Sequence, residues 1–144
     1  MANTRKPTRR TSLALLKYDD RFITLKKGEA IFKEGEMGNT MFVIRAGTVE
    51  LQVCGRAVES LERGDFMGEM ALVDAEPRSA TALCLTDCQV VQIDREKFLY
   101  LVKETPYAAL EVMEKMAQRL RRMNRATSIL VRETGAAAAT QAQA

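Results

Sequence analysis

Residues 64–82 read Gly-Asp-Phe-Met-Gly-Glu-Met-Ala-Leu-Val-Asp-Ala-Glu-Pro-Arg-Ser-Ala-Thr-Ala, and they place Glu69, Arg78 and Ser79 in one short irregular segment between two β-rich runs. Arg78 is suited to an anion, because its planar guanidinium can grip two phosphate oxygens at once. Pro77 fixes the backbone just before it. Ser79 adds a hydroxyl donor, and Ala80 is small enough for its backbone N–H to reach the same oxygens. Gly68 followed by Glu69 to Val73 predicts a single helical turn with close backbone approach at its start. The free N–H groups of such a turn favour an anion as well. A carboxylate beside a phosphate is repelled unless it addresses another group and is shielded by the arginine. For Glu69 that group is a hydroxyl donor, and the 2′ position of a ribose supplies one. Phosphate and ribose recognised within a dozen residues suggest a nucleotide whose phosphate folds back onto its own sugar.

Composition narrows the alternatives. The 144 residues contain no histidine, which removes His-based triads, HExxH zinc sites and most proton shuttles. An enzyme on a similar scaffold, such as a metal-dependent cupin, loses its usual ligands, and neither a catalytic residue nor a metal site nor a cofactor is expected. Cys54, Cys84 and Cys88 are odd in number and lack metal-ligand spacing. With no signal-peptide pattern, they point to a reducing cytoplasm. No run of 18 apolar residues exists, so no transmembrane helix is expected. The net charge of +3 is uneven: Arg5, Lys6, Arg9 and Arg10 make a basic start, and Arg119, Arg121, Arg122, Arg125 and Arg132 a basic late helix. The body between them is mildly acidic. Such asymmetry can attract nucleic acid or an anionic surface, and a solvated tail with a charged helix face explains it equally.

The elements that must position the segment are legible in outline. Residues 1–12 are polar and basic and contain Pro7, which predicts a disordered arm; within it Arg9-Arg10-Thr11-Ser12 resembles a basophilic kinase site. From about 22 to 93 short apolar runs are punctuated by Gly28, Gly35, Gly38, Gly47, Gly55 and Gly64, the mark of short strands and tight turns. Thr48 to Val53 alternates, so Val49, Leu51 and Val53 should face inward and Glu50 and Gln52 face water. Ala80 to Leu85 and Gln89 to Ile93 suggest a strand pair turning at Thr86-Asp87. Asp94 is suited to cap a helix over about 95–103. Thr105-Pro106 should stop it and start a second, over about 106–133, ended by Gly135. On that second helix Met113, Met116, Leu120, Met123, Thr127 and Leu130 are spaced 3, 4, 3, 4, 3, a heptad seam that fits its own β-roll or a second copy of the chain. Residues 135–144 are an Ala/Gln/Thr tail expected to be disordered. The fold class is mainly β with C-terminal helices: an antiparallel β-roll of the jelly-roll type, a short cassette helix and a long C-terminal helix, within one domain over 13–134.

Gly68-Glu69-Met70-Ala71-Leu72 followed by Pro77-Arg78-Ser79-Ala80-Thr81 resembles the phosphate-binding cassette of the cyclic nucleotide-binding domain family. Gly28-Glu29, Phe32-Lys33-Glu34-Gly35 and Gly47-Thr48-Val49 resemble that family's opening strands, and the helices from Asp94 to Asn124 its last two. The resemblance spans roughly residues 18–130. It implies that Glu69 binds the ribose 2′-hydroxyl with Gly68 and Met70 near the sugar, and that Arg78, Ser79 and the Ala80 amide hold the cyclic phosphate. Leu51, Leu61, Met67 and Thr81 would line the pocket, and Met116, Leu120, Met123 or Asn124 would cover the base. It implies a cytoplasmic sensor for cAMP or cGMP, with occupancy relayed through the 106–133 helix to an effector or a second copy. Ser79 after Arg78 fits kinases that bind cGMP and bacterial sensors that bind cAMP, and the bacterial character of the chain favours cAMP. No helix-turn-helix follows the long helix, which predicts a stand-alone sensor, or the sensor part of a longer protein, without a DNA-binding domain. The alternative is a nucleotide-independent oligomerisation module on the same fold.

Overall fold

The computed structural model describes Leu16, Asp19 and residues 21–142. Among the described residues eight strands, β1 (Ile23–Leu25), β2 (Ala30–Phe32), β3 (Met41–Ala46), β4 (Val49–Val53), β5 (Arg56–Leu61), β6 (Phe66–Met67), β7 (Thr81–Cys84) and β8 (Cys88–Ile93), are followed by helices α1 (Arg95–Glu104) and α2 (Tyr107–Ala142). The strands make two antiparallel four-stranded sheets, ordered β1-β8-β3-β6 and β2-β7-β4-β5. This is the roll with C-terminal helices that the sequence predicts. The disordered arm predicted for residues 1–12 lies outside the described residues.

The core lies between the sheets. Phe42 and Ile44 of β3, with Cys88 and Val90 of β8, meet Phe32, Val49, Leu51, Leu61, Ala82 and Cys84 of the other sheet, and Met67 of β6 joins them. The period-2 alternation of strands explains the choice of side chains. Val49 and Leu51 are buried and Val53 is only half-buried, while Glu50 and Gln52 are not free to water: the Gln52 amide donates to the Glu50 carboxylate at 3.2 Å. Each fully buried aliphatic side chain contributes about 1.5–3 kcal/mol, so the interior rather than local propensity holds the short strands. Burial pushes the Cys84 thiol up to about 12, with the neighbouring Cys88 thiol adding to the effect. These two cysteines are core groups.

One expected pairing is corrected. β7 and β8 do not form a hairpin: β7 pairs with β2 and β4, and β8 with β1 and β3. Each carries buried residues on its inner face, Ala82 and Cys84 on one and Cys88 and Val90 on the other. Facing each other across the core buries both sets, as sheet-on-sheet packing requires. The chain changes sheets at Leu85–Asp87, where Leu85 N–H donates to the Thr48 carbonyl and the Asp87 carboxylate accepts from Lys27 N–H, both at 2.9 Å. Gly47 permits the crossing. Its φ is +96°, and a Cβ there would stand 2.5 Å from the Asp87 carbonyl oxygen.

Asp94 caps α1, its carboxylate accepting from Lys97 N–H at 2.7 Å. Thr105 N–H closes that helix on the Leu101 carbonyl at 2.7 Å, and Pro106 stands in the turn before Tyr107. Residues 109–144 form a compact unit distinct from residues 1–108. In that unit α2 continues through Gly135 to Ala142, beyond the predicted end. A helical glycine costs about 1 kcal/mol relative to alanine, and the Ala136–Ala139 run that follows has the highest helix propensity of any residue type. The backbone of residues 135–142 is therefore helical where a disordered tail was expected; Gln143 and Ala144 lie outside the described residues.

Candidate functional site

The segment singled out by its residue types joins β6 of one sheet to β7 of the other. Gly68 opens it in the left-handed region (φ +78°), and Glu69–Leu72 form one 3-10 turn. The turn packs against β3. Its glycine is needed twice over. The backbone is in a conformation that a side chain resists, and a Cβ would stand 2.7 Å from Arg78 Nη1, 3.2 Å from the Thr40 carbonyl oxygen and 3.3 Å from the Phe32 ring. Glu69 is wholly buried and Met70 exposed.

Arg78 is buried, and the backbone around it is stitched to the β2–β3 connection. Its N–H donates to the Glu36 carbonyl, and its carbonyl accepts from Gly35 N–H, both at 2.8 Å. Three residues on, the Thr81 hydroxyl accepts from Glu34 N–H at 2.9 Å. These bonds fix where the guanidinium leaves the main chain. Its carbon then lies 4.3 Å above the Phe32 ring and 5.9 Å from that of Phe42, within cation–π range. Nη1 donates to the Gly68 carbonyl at 3.3 Å and Nη2 to the Thr40 hydroxyl at 3.5 Å. Both bonds are long, and neither reaches a carboxylate. Thr40 Oγ1 also accepts from Gln92 Nε2 of β8 at 3.3 Å, so one hydroxyl joins the cassette to β8.

Burial presses the Arg78 pKa below its usual value, and Glu36 nearby acts in the opposite direction. A guanidinium does not give up its proton in a protein. The niche therefore holds a desolvated permanent cation whose hydrogen bonds go to neutral acceptors, with donors left over. That arrangement is costly in isolation and favours an incoming anion.

The structure brings Gly68 and Arg78 into contact and sets Ser79, exposed at the surface, with its hydroxyl 3.9 Å from Met70 Sδ. Ala80 sits at the bend before β7 and Thr81 begins that strand. Leu51, Leu61 and Met67 belong to the core between the sheets. Met116, Leu120, Met123 and Asn124 lie on α2, in the separate unit. Sequence reasoning missed Phe32, Gly38 and Thr40. Gly38 has no positive φ to require it; a Cβ there would meet Arg78 Nε, Nη2 and Cζ at 2.5, 2.6 and 2.8 Å. Its presence in Met37-Gly38-Asn39, outside any strand, was the available signal.

Comparisons with known proteins place the chain in a family. The model of the cyclic nucleotide-binding domain matches residues 22–105. A cGMP-dependent protein kinase of Toxoplasma gondii is 38% identical over 71 residues, covering 49% of this chain and 7% of the kinase. The cAMP-dependent protein kinase regulatory subunit of Emericella nidulans is 35% identical over 101 residues, 67% of this chain and 23% of the subunit. In three dimensions the catabolite activator protein of Thermus thermophilus superposes with a TM-score of 0.72 at 26% identity, covering 87% of this chain and 61% of that one. The chain spans less than a quarter of the length of either kinase-related protein.

Proposed function

The chain belongs to the cyclic nucleotide-binding domain family, and on that premise we propose that it is a cAMP sensor that relays occupancy through α2 to a second copy or an effector. The observation that carries the reading is the Arg78 niche: a buried guanidinium against Phe32, held by two long hydrogen bonds to neutral oxygens. A cyclic phosphate supplies the charge that the niche lacks. Arg78, the Ser79 hydroxyl and the Ala80 amide bind the phosphate oxygens. Glu69, wholly buried one residue after Gly68, accepts from the ribose 2′-hydroxyl, with Gly68 and Met70 flanking the sugar. Leu51, Leu61, Met67 and Thr81 supply the pocket wall, and Met116, Leu120, Met123 or Asn124 the cover over the base.

The domain is a regulatory sensor, and the chemistry it performs is binding. The nucleotide shifts α2 only insofar as it prefers one helix position over another. Exposed Met113, Leu120, Met123 and Leu130 on α2 give the relay an apolar seam for its partner. Among the described residues no helix is long and apolar enough to cross a membrane, and a cytoplasmic location is part of the proposal.

Titration calorimetry with cAMP, cGMP and 5′-AMP tests the reading. The expected result is saturable heat with cAMP, weaker binding of cGMP and far weaker binding of 5′-AMP, whose phosphate does not fold back onto its ribose. No heat with either cyclic nucleotide overturns it. Light scattering with and without cAMP addresses the relay: a dimer indifferent to ligand supports the oligomerisation module instead.

A further inference from the structure

Behind the 3-10 turn lies an open cavity of about 900 Å³ lined by Met37 and Gly38 of the β2–β3 connection, Leu72 to Ala75 of the cassette, and Asp94 to Glu96 at the start of α1. Its wall is of two kinds. Met37 and Val73 are exposed large apolar side chains, 69% and 68% accessible, and Ala71, Leu72 and Ala75 continue the apolar surface. Asp74, Asp94 and Glu96 surround it with three carboxylates against one cation, Arg95. The phosphate-binding side chain Arg78 is not part of this lining.

We propose that this cavity is the docking site for the chain's own basic arm, residues 5–15. The arm carries Arg5, Lys6, Arg9 and Arg10 with no acidic residue, followed by Leu13, Ala14 and Leu15. It thus offers cations and then aliphatic side chains to a surface of carboxylates and exposed aliphatic groups. Opposite charges steer the arm onto the exposed rim, and apolar burial supplies the attraction.

The covalent geometry favours the chain's own arm over a foreign peptide. Asp19 Oδ2 lies 3.3 Å from Lys97 Nζ, so the chain enters the fold beside the first turn of α1, one residue beyond the lining residue Glu96. Arg10 precedes Asp19 by nine residues, at most about 30 Å of extended chain. A tethered segment also acts at high effective concentration. The docked arm would bear on the back of the turn that carries Glu69, placing it where it can bias the cassette.

The test uses the full chain without nucleotide, so its outcome is independent of the ligand reading. A nitroxide is attached at Thr4→Cys in a Cys54→Ser background, since Cys54 is the exposed thiol and Cys84 and Cys88 are buried. In nitrogen-15 spectra at about 0.01 M ionic strength, where the Debye length is about 30 Å, the amide signals of Val73, Asp74 and Glu96 should be attenuated. Asp74→Lys with Glu96→Lys should restore them, and adding Arg9→Glu with Arg10→Glu should attenuate them again, a rescue that misfolding does not produce. No attenuation, or attenuation that survives the groove reversal, overturns the proposal. So does attenuation of the same strength when the nitroxide and the isotope are on different molecules mixed in one sample, which assigns the cavity to a second copy's arm.

Discussion

The interior between the sheets and the niche around Arg78 are both buried, yet they are built on opposite principles. Ile44, Val49, Cys84 and Val90 fill the first with side chains that need only volume. The second is organised around one cation, with Phe32 below it, the Gly68 carbonyl and Thr40 hydroxyl at its edges, and two glycines whose missing Cβ atoms make the space. In the core, burial and stability are one quantity. In the niche, burial of the cation opposes stability, and under the proposed function a bound anion offsets that cost.

Substitutions should separate the two regions. The largest effect is expected for Ile44→Ala, which removes a fully buried side chain and should lower unfolding free energy by about 2–5 kcal/mol in urea denaturation. Arg78→Ala should do the converse. Calorimetric affinity for cAMP should fall by roughly 2–4 kcal/mol, since charge-assisted hydrogen bonds are worth about 1.5–3 kcal/mol each, with a smaller change in nucleotide-free stability. If its stability loss exceeds that of Ile44→Ala, the niche is structural and the contrast fails.

A pH series sharpens the core half of the comparison. Cys84 titrates near 9 when exposed and is pushed up to about 12 in the fold. Above pH 9 the unfolded chain therefore gives up a proton that the folded chain keeps. Stability present below pH 9 is lost as pH rises toward 12, by at most about 1.4 kcal/mol per unit. Urea denaturation of the wild type at pH 8 to 10.5 should show a slope that Cys84→Ala reduces.

Glycines provide a narrower contrast. Gly38→Ala meets the guanidinium at 2.5 Å without a positive φ to strain the backbone, and it should weaken cAMP binding about tenfold, or about 1.4 kcal/mol, with little change in stability. Gly28→Ala has open space but a φ of +89°, and it should cost roughly 1 kcal/mol of stability while leaving affinity alone. Equal behaviour of the two variants in calorimetry would remove the claim that Gly38 serves Arg78. The smallest effect belongs to Asp94→Ala, outside both regions, where loss of the cap on Lys97 N–H should lower thermal stability by about 1 kcal/mol.

Much of this was legible in the chain because it depends on neighbours in sequence. The alternation from Thr48 to Val53, the cap at Asp94, the stop at Thr105-Pro106 and the turn opened by Gly68 all follow from backbone and side-chain preferences within a few residues. The roles proposed for Glu69, Arg78 and Ser79 rest on the same kind of reading, from residue types and spacing. Phe32 and Gly38 were not, because they lie 46 and 40 positions before Arg78; nothing local marks an aromatic residue as a platform, and a glycine outside any strand signals a turn without naming the side chain it clears.

The residues alone thus determined the element types before Gly135, the cassette and the exclusion of histidine chemistry. Tertiary structure decided the sheets to which β7 and β8 belong, the immediate surroundings of Arg78 and the cavity behind the cassette. The physical reason is range. Turn, cap and strand preferences act over a few bonds, whereas burial, cation–π contact and steric clearance depend on which distant segments the packed core brings together.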